Sequence, residues 1–177
     1  MHTRTIIVAA VASLSMTTMS LGDWFAELTA SGGASNDYFG YSVAIDGDTC
    51  VIGAPGINSY TGSAYVFTNT GGTWGQVAEL TATNGASADL FGTSVSLDGS
   101  TCVVGDPGNN GGTGTAYVFT NTNGTWSQVA ELTATNGASA DFFGWSVALD
   151  GSTCVIGAQS VNFGTGSAYV FTNTGGT

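Results

Sequence analysis

Three features of the 177-residue sequence predict an all-β fold made of β-propeller blades, each a sheet of four antiparallel strands: a 52-residue internal repeat, a strand-forming composition, and evenly spaced turn dipeptides. Phe39-Gly40 returns as Phe91-Gly92 and Phe143-Gly144, 52 residues on each time, and Cys50, Cys102 and Cys154 keep the same step. So do Glu27, Glu79 and Glu131, and Asp46, Asp98 and Asp150. Four short strands in roughly 50 residues is the content of one blade, whereas the coils of the rival parallel β-helix are much shorter. About three blades are therefore expected, a partial or half propeller.

Taken from the N-terminus, residues 1–22 read as an export signal. Arg4 supplies the charged start, Ile6 through about Leu14 the apolar run, and Ser20-Leu21-Gly22 the small-residue exit. That run is shorter than the roughly 20 residues a bilayer-spanning helix needs. No membrane span is expected once the signal is removed, and the protein is expected to be secreted or at the cell surface. Residues 23–38 form an N-terminal closing strand and linker, because Trp24–Ala30 matches the fourth strand of a blade.

The copies then run over 39–90, 91–142 and 143–177, the last incomplete. In the first copy, strands are expected at Tyr41–Ile45, Thr49–Gly53, Ser63–Thr68 and Thr73–Thr81, where Thr, Val, Tyr and Phe are dense. Asp46-Gly47 favours a tight hairpin, since Gly accepts positive φ. A loop with Pro55, Gly56 and Gly62 separates the second strand from the third, and Asn69–Gly72 form a further turn.

Composition narrows the function. Twelve acids face one Lys or Arg, the net charge is −11, and Arg4 and His2, the only basic side chains, both lie in the leader. Nucleic acid is excluded as a partner, because affinity for a polyanion rests on cationic groups that release counterions. A His base, a Lys nucleophile and an Arg clamp are equally absent from the rest of the sequence. Three cysteines cannot all pair within one chain; each sits in TCVIG or TCVVG, where a buried strand wants a small apolar side chain.

Phe39-Gly40-Tyr41-Ser42-Val43, Val51-Ile52-Gly53-Ala54-Pro55 and Gly62-Ser63-Ala64-Tyr65-Val66-Phe67, in that order and repeated three times, resemble the FG-GAP repeat of integrin α-subunit propellers. The likeness is strongest to the variant common in secreted bacterial repeat proteins. It departs at Asp106-Pro107 and at Ala158-Gln159. The resemblance would imply a calcium loop between the first two strands. Here that link is only Ile45-Asp46-Gly47-Asp48-Thr49, too short to wrap an ion that takes six to eight oxygens. No metal and no cofactor is expected, with weak calcium binding the one exception left open.

In a meander, the link between blades shares a face with the loop between second and third strands, and loops on a rigid scaffold carry binding. The candidate ligand-binding residues are therefore Asp37, Asn58, Tyr60, Asp89, Asn109, Asn110, Asp141, Asn162 and Phe163. The three acids among them have a second expected role, capping the turn that enters Phe-Gly. The expected function is an exported, non-enzymatic binding or adhesion module for protein or glycan. A structural cell-envelope repeat protein is the alternative, and a carboxylate-based glycosidase a third reading. A homodimer would complete six blades; a longer chain would supply the rest, and the interrupted last repeat favours that second solution.

Overall fold

The computed structural model describes residues 26–175, so the expected export signal lies outside the described residues. Three antiparallel sheets follow one another along the chain. The first is β1 (Ser42–Asp46), β2 (Thr49–Ala54), β3 (Ser63–Thr70) and β4 (Thr73–Leu80), hydrogen-bonded in that order. The second repeats it with β5 (Ser94–Asp98), β6 (Thr101–Asp106), β7 (Thr115–Thr122) and β8 (Thr125–Leu132). The third comprises β9 (Phe143–Asp150), β10 (Thr153–Ala158) and β11 (Ser167–Thr172). These are three propeller blades, and every strand expected in the first copy lies within two residues of its predicted bounds.

The main difference in bounds is at the β3–β4 hairpin, where the strands reach Thr70 and Thr73 and the turn shrinks to Gly71-Gly72. Both glycines have positive φ, 61° and 89°, which a tight hairpin requires. The Asn69 side chain accepts the Gly72 N–H at 2.9 Å and pins the turn. A second difference concerns the closing strand. Ala26–Ala30 has no strand assignment, and Leu28 and Ala30 instead pack on the first sheet beside Cys50, Ile52 and Phe67.

Alternation along each strand divides every sheet into two apolar faces, and each seam joins the trailing face of one sheet to the leading face of the next. Val51, Ala64, Val66 and Leu80 meet Val95, Leu97, Cys102, Val104, Tyr117 and Phe119 in the first seam. Val103 and Ala116 meet Phe143, Cys154 and Ile156 in the second. Phe91 and Phe143, fully buried, sit edge-on to Phe119 and Phe171 at 6.0 Å. Each such ring contributes about 2 to 3 kcal/mol by leaving water. The cysteines are free and buried, as small hydrophobes, and burial pushes the Cys102 thiol up to about 12.

The glycine of Phe-Gly sets how closely sheets approach. Gly92 and Gly144 turn the chain at φ 90°, which aims their carbonyls at the preceding sheet. Ser42 Oγ and Ser94 Oγ donate to those carbonyls at 2.8 Å. A Cβ on Gly53 or Gly105 would stand 2.0 Å from the same oxygens. The seam is also tied at its edge, where Asp46 Oδ2 accepts the Gly99 N–H at 2.6 Å and Asp98 Oδ2 accepts that of Gly151.

Gly105→Ala drives a methyl into the Gly144 carbonyl. Overpacking of this kind costs on the order of 3 kcal/mol, which thermal unfolding should register as a markedly lower Tm.

Candidate functional site

The link between blades and the β2–β3 type loops do share one face. Leu90 N–H donates to Tyr60 O and Phe142 N–H to Gly112 O, each at 2.8 Å, and Gly108 N–H donates to Asp89 O at 2.7 Å. Three left-handed residues in a row shape the middle of each loop: Asn58-Ser59-Tyr60, Asn110-Gly111-Gly112 and Asn162-Phe163-Gly164. Different sequences reach the same conformation because each loop is anchored by one buried residue, Ile57, Asn109 or Val161. Its carbonyl accepts the N–H of Gly62, Gly114 or Gly166 at 3.0 Å.

The nine candidate residues separate into three groups. Asp37, Asp89 and Asp141 each accept the backbone N–H three residues earlier, from Ala34, Ala86 and Ala138, at 2.6, 2.7 and 2.8 Å. This is the capping role, and Asp89 and Asp141 are buried. Asn109 is interior, 4% exposed, because it occupies the anchor position held by Ile57 and Val161 in the other copies. It donates to Asp89 Oδ2 at 3.3 Å and accepts from Thr115 Oγ1 at 3.1 Å. Asn58, Tyr60, Asn110, Asn162 and Phe163 are exposed.

Tyr60 is brought together with residues that the sequence did not single out. With Tyr38, Tyr41, Pro55, Leu90, Thr93 and Trp145 it lines a hollow of about 210 Å³. Tyr41, Thr93 and Trp145 each follow a Phe-Gly pair, so one position of the repeat converges from three blades on one concavity. That was the available signal: the residue after Phe-Gly changes from Tyr to Thr to Trp. Tyr38 and Tyr60 lie 6.3 Å apart, and Tyr38 holds the Tyr60 hydroxyl above its ordinary pKa. Phe142 supports the Trp145 ring edge-on at 6.1 Å. Asn162 and Phe163 do not line the hollow.

The second copy also holds a buried carboxyl. Asp106 stands where Ala54 and Ala158 stand in the other copies, fully buried, and neither oxygen has a hydrogen-bond partner. Desolvation first, then the charges of Asp89 and Glu131, push it from 3.8 to about 8. Glu79 serves the scaffold, accepting from Ser63 Oγ at 2.8 Å and from Tyr65 Oη at 3.3 Å. Among the described residues, no three of His, Cys, Asp and Glu are placed to hold a metal ion, and no helix is long and apolar enough to cross a membrane.

Meandering antiparallel sheets, two of four strands and one of three, packed face to face through a Phe-Gly contact at each seam, define a β-propeller repeat protein. The FG-GAP repeat model matches residues 24–67, 74–119 and 126–171, and the chain belongs to that family. The second match runs from β4 into β7 and the third from β8 into β11, so each of these bridges a seam. FG-GAP repeats are generally non-enzymatic, often stand in binding and adhesion proteins, and occur in extracellular proteins. No curated protein matches the chain.

Asp106→Ala should raise stability. The fold keeps this carboxyl protonated, whereas the unfolded chain releases the proton above about pH 4. The parent's stability should therefore fall between about pH 4 and pH 8, by up to about 1.4 kcal/mol per pH unit, and the Ala variant should lose that slope in urea titrations. Phe163→Gly should also stabilise, by about 1 kcal/mol: the residue has φ 60° and a fully exposed ring, so relief of strain outweighs lost contact. Chemical denaturation of the two proteins side by side measures it.

Proposed function

We propose that this protein is an exported, non-enzymatic binding module whose aromatic hollow holds a neutral carbohydrate. The convergence of Tyr38, Tyr41, Tyr60 and Trp145 on one concavity carries the reading. Ring faces give the C–H faces of a sugar a large apolar contact, and tyrosine hydroxyls add a polar handle that orients it. Asn58 is exposed two residues before Tyr60 but does not line the hollow. The net charge of −11 disfavours an anionic ligand. Export is supported by the N-terminal sequence pattern, and the non-enzymatic reading by carboxylates spent on turns and seams rather than paired across the hollow.

An array of neutral oligosaccharides should retain the protein specifically, and the strongest binder should perturb the fluorescence of the partly exposed Trp145. Trp145→Ala is expected to weaken that binding at least tenfold, about 1.4 kcal/mol, with unchanged circular dichroism. Silence across the array, or full affinity in the variant, would count against the carbohydrate.

A further inference from the structure

Four aromatic side chains meet at the hollow with no cationic side chain near them. Lys, Arg and His occur only as Arg4 and His2, so the described residues 26–175 hold none, and the net charge is −11. The potential at the hollow is therefore set by carboxylates without a cation to neutralise them. Three of these, Asp37, Asp89 and Asp141, stand in the links between blades, each one residue before Tyr38, Leu90 or Phe142. Tyr38 and Leu90 line the hollow, and Phe142 braces Trp145. A ring presents a negative face, so several rings gathered in a negative field attract a cation.

The remaining lining narrows the kind of cation. Besides the four rings it consists of Pro55, Leu90 and Thr93, with no carboxylate or amide side chain. The Thr93 hydroxyl already donates to Leu90 O at 2.7 Å. A calcium ion, which takes six to eight oxygens, would find too few. A primary ammonium, strongly hydrated and carrying three N–H donors, would exchange its water for few acceptors. A quaternary ammonium spreads its charge over methyl groups, has no N–H to satisfy, and gains from the apolar ring faces as well as from their quadrupole. The volume of about 210 Å³ lies below the roughly 300 to 1,000 Å³ of pockets for drug-sized ligands and suits a compact head group.

Backbone bonds hold the rings before a ligand arrives. Tyr38, Tyr60 and Leu90 are all left-handed, with φ 57°, 66° and 67°. Leu90 N–H donates to Tyr60 O at 2.8 Å, across the seam between the first two sheets. Tyr41 N–H donates to Tyr38 O at 3.0 Å, and Trp145 N–H to Phe142 O at 3.2 Å. With the backbone fixed in this way, little ordering is left to offset the gain on binding.

We propose that the hollow also binds a quaternary ammonium group, of the kind that heads choline, against the faces of Tyr41, Tyr60 and Trp145. Such a ligand engages the rings through their charge distribution and through the field of an acidic chain, and it does not depend on the carbohydrate reading. A methylated ammonium and a sugar both present C–H groups to a ring face, so the two ligands compete for one place.

Calorimetric titration of the 177-residue chain with choline chloride, at constant chloride concentration, should show saturable binding in the millimolar range or below. Choline should bind at least tenfold more tightly than its uncharged isostere, in which a tert-butyl group replaces trimethylammonium, and than ethanolamine, the primary amine. Tyr60 and Trp145 are 45% and 39% exposed, so Tyr60→Leu and Trp145→Leu should each keep the parent's circular dichroism while binding choline at least tenfold more weakly. The absence of saturable choline binding overturns the proposal. So does equal affinity for either analogue, which the parent alone reveals, or choline binding that both variants retain in full. Retention of neutral oligosaccharides without choline binding overturns this proposal and leaves the carbohydrate standing, whereas choline binding with a silent array does the reverse.

Discussion

A backbone carbonyl resting against a carbon that bears no side chain sets the spacing on which the molecule depends. At each seam the Phe-Gly glycine lifts its oxygen toward Gly53 or Gly105, and a serine on the inner strand completes the bond. The phenylalanine then falls into the aromatic pair of its own sheet, Tyr117 and Phe119 or Tyr169 and Phe171. Widening the seam by one methyl group would lift these rings out of contact and leave the carbonyl without its donor. Polar and apolar terms therefore act through the same few residues, and that is why the motif reads as a unit.

The period and the turn chemistry made the blades legible. Asp-Gly and the Thr-Val-Tyr-Phe runs located the strands to within two residues, because alternation and positive-φ glycines are local properties. The hollow was not legible. The Tyr38–Tyr41 segment, Tyr60 and Trp145 are separated in sequence, and only the fan of the sheets brings them together. Asn109 misled for a related reason: a carboxamide in a loop reads as exposed, yet its position in the repeat is a core anchor. Comparison with Ile57 and Val161 in the same register held that information. The acids at 37, 89 and 141 were placed on the correct face, where capping satisfies them.

Near-identity among the copies makes each departure informative. Asp106, Asn109 and Thr115 change together in the second copy, where two apolar side chains become polar and a serine becomes threonine. Asn109 and Thr115 bond to each other, and Asn109 to Asp89, whereas Asp106 gains no partner and burial pushes its carboxyl up to about 8. The tyrosines diverge as well: Tyr65 reaches Glu79, while Tyr117 and Tyr169 donate to Asn84 and Asn136 in the links between blades. One scaffold thus tolerates several polar solutions at the same depth.

The β4 segment Thr-Trp-Gly-Gln-Val-Ala-Glu-Leu and the β8 segment Thr-Trp-Ser-Gln-Val-Ala-Glu-Leu differ at one residue and pair with their neighbours in one register. Either is chemically fitted to the edge of β3, β7 or β11. A nascent or refolding chain therefore meets several interchangeable partners for each hairpin, and mispaired intermediates must unzip before the native order is reached. Appearance of the chain from its N-terminus, which offers β3 to β4 before β7 is present, would resolve that competition in time rather than in sequence.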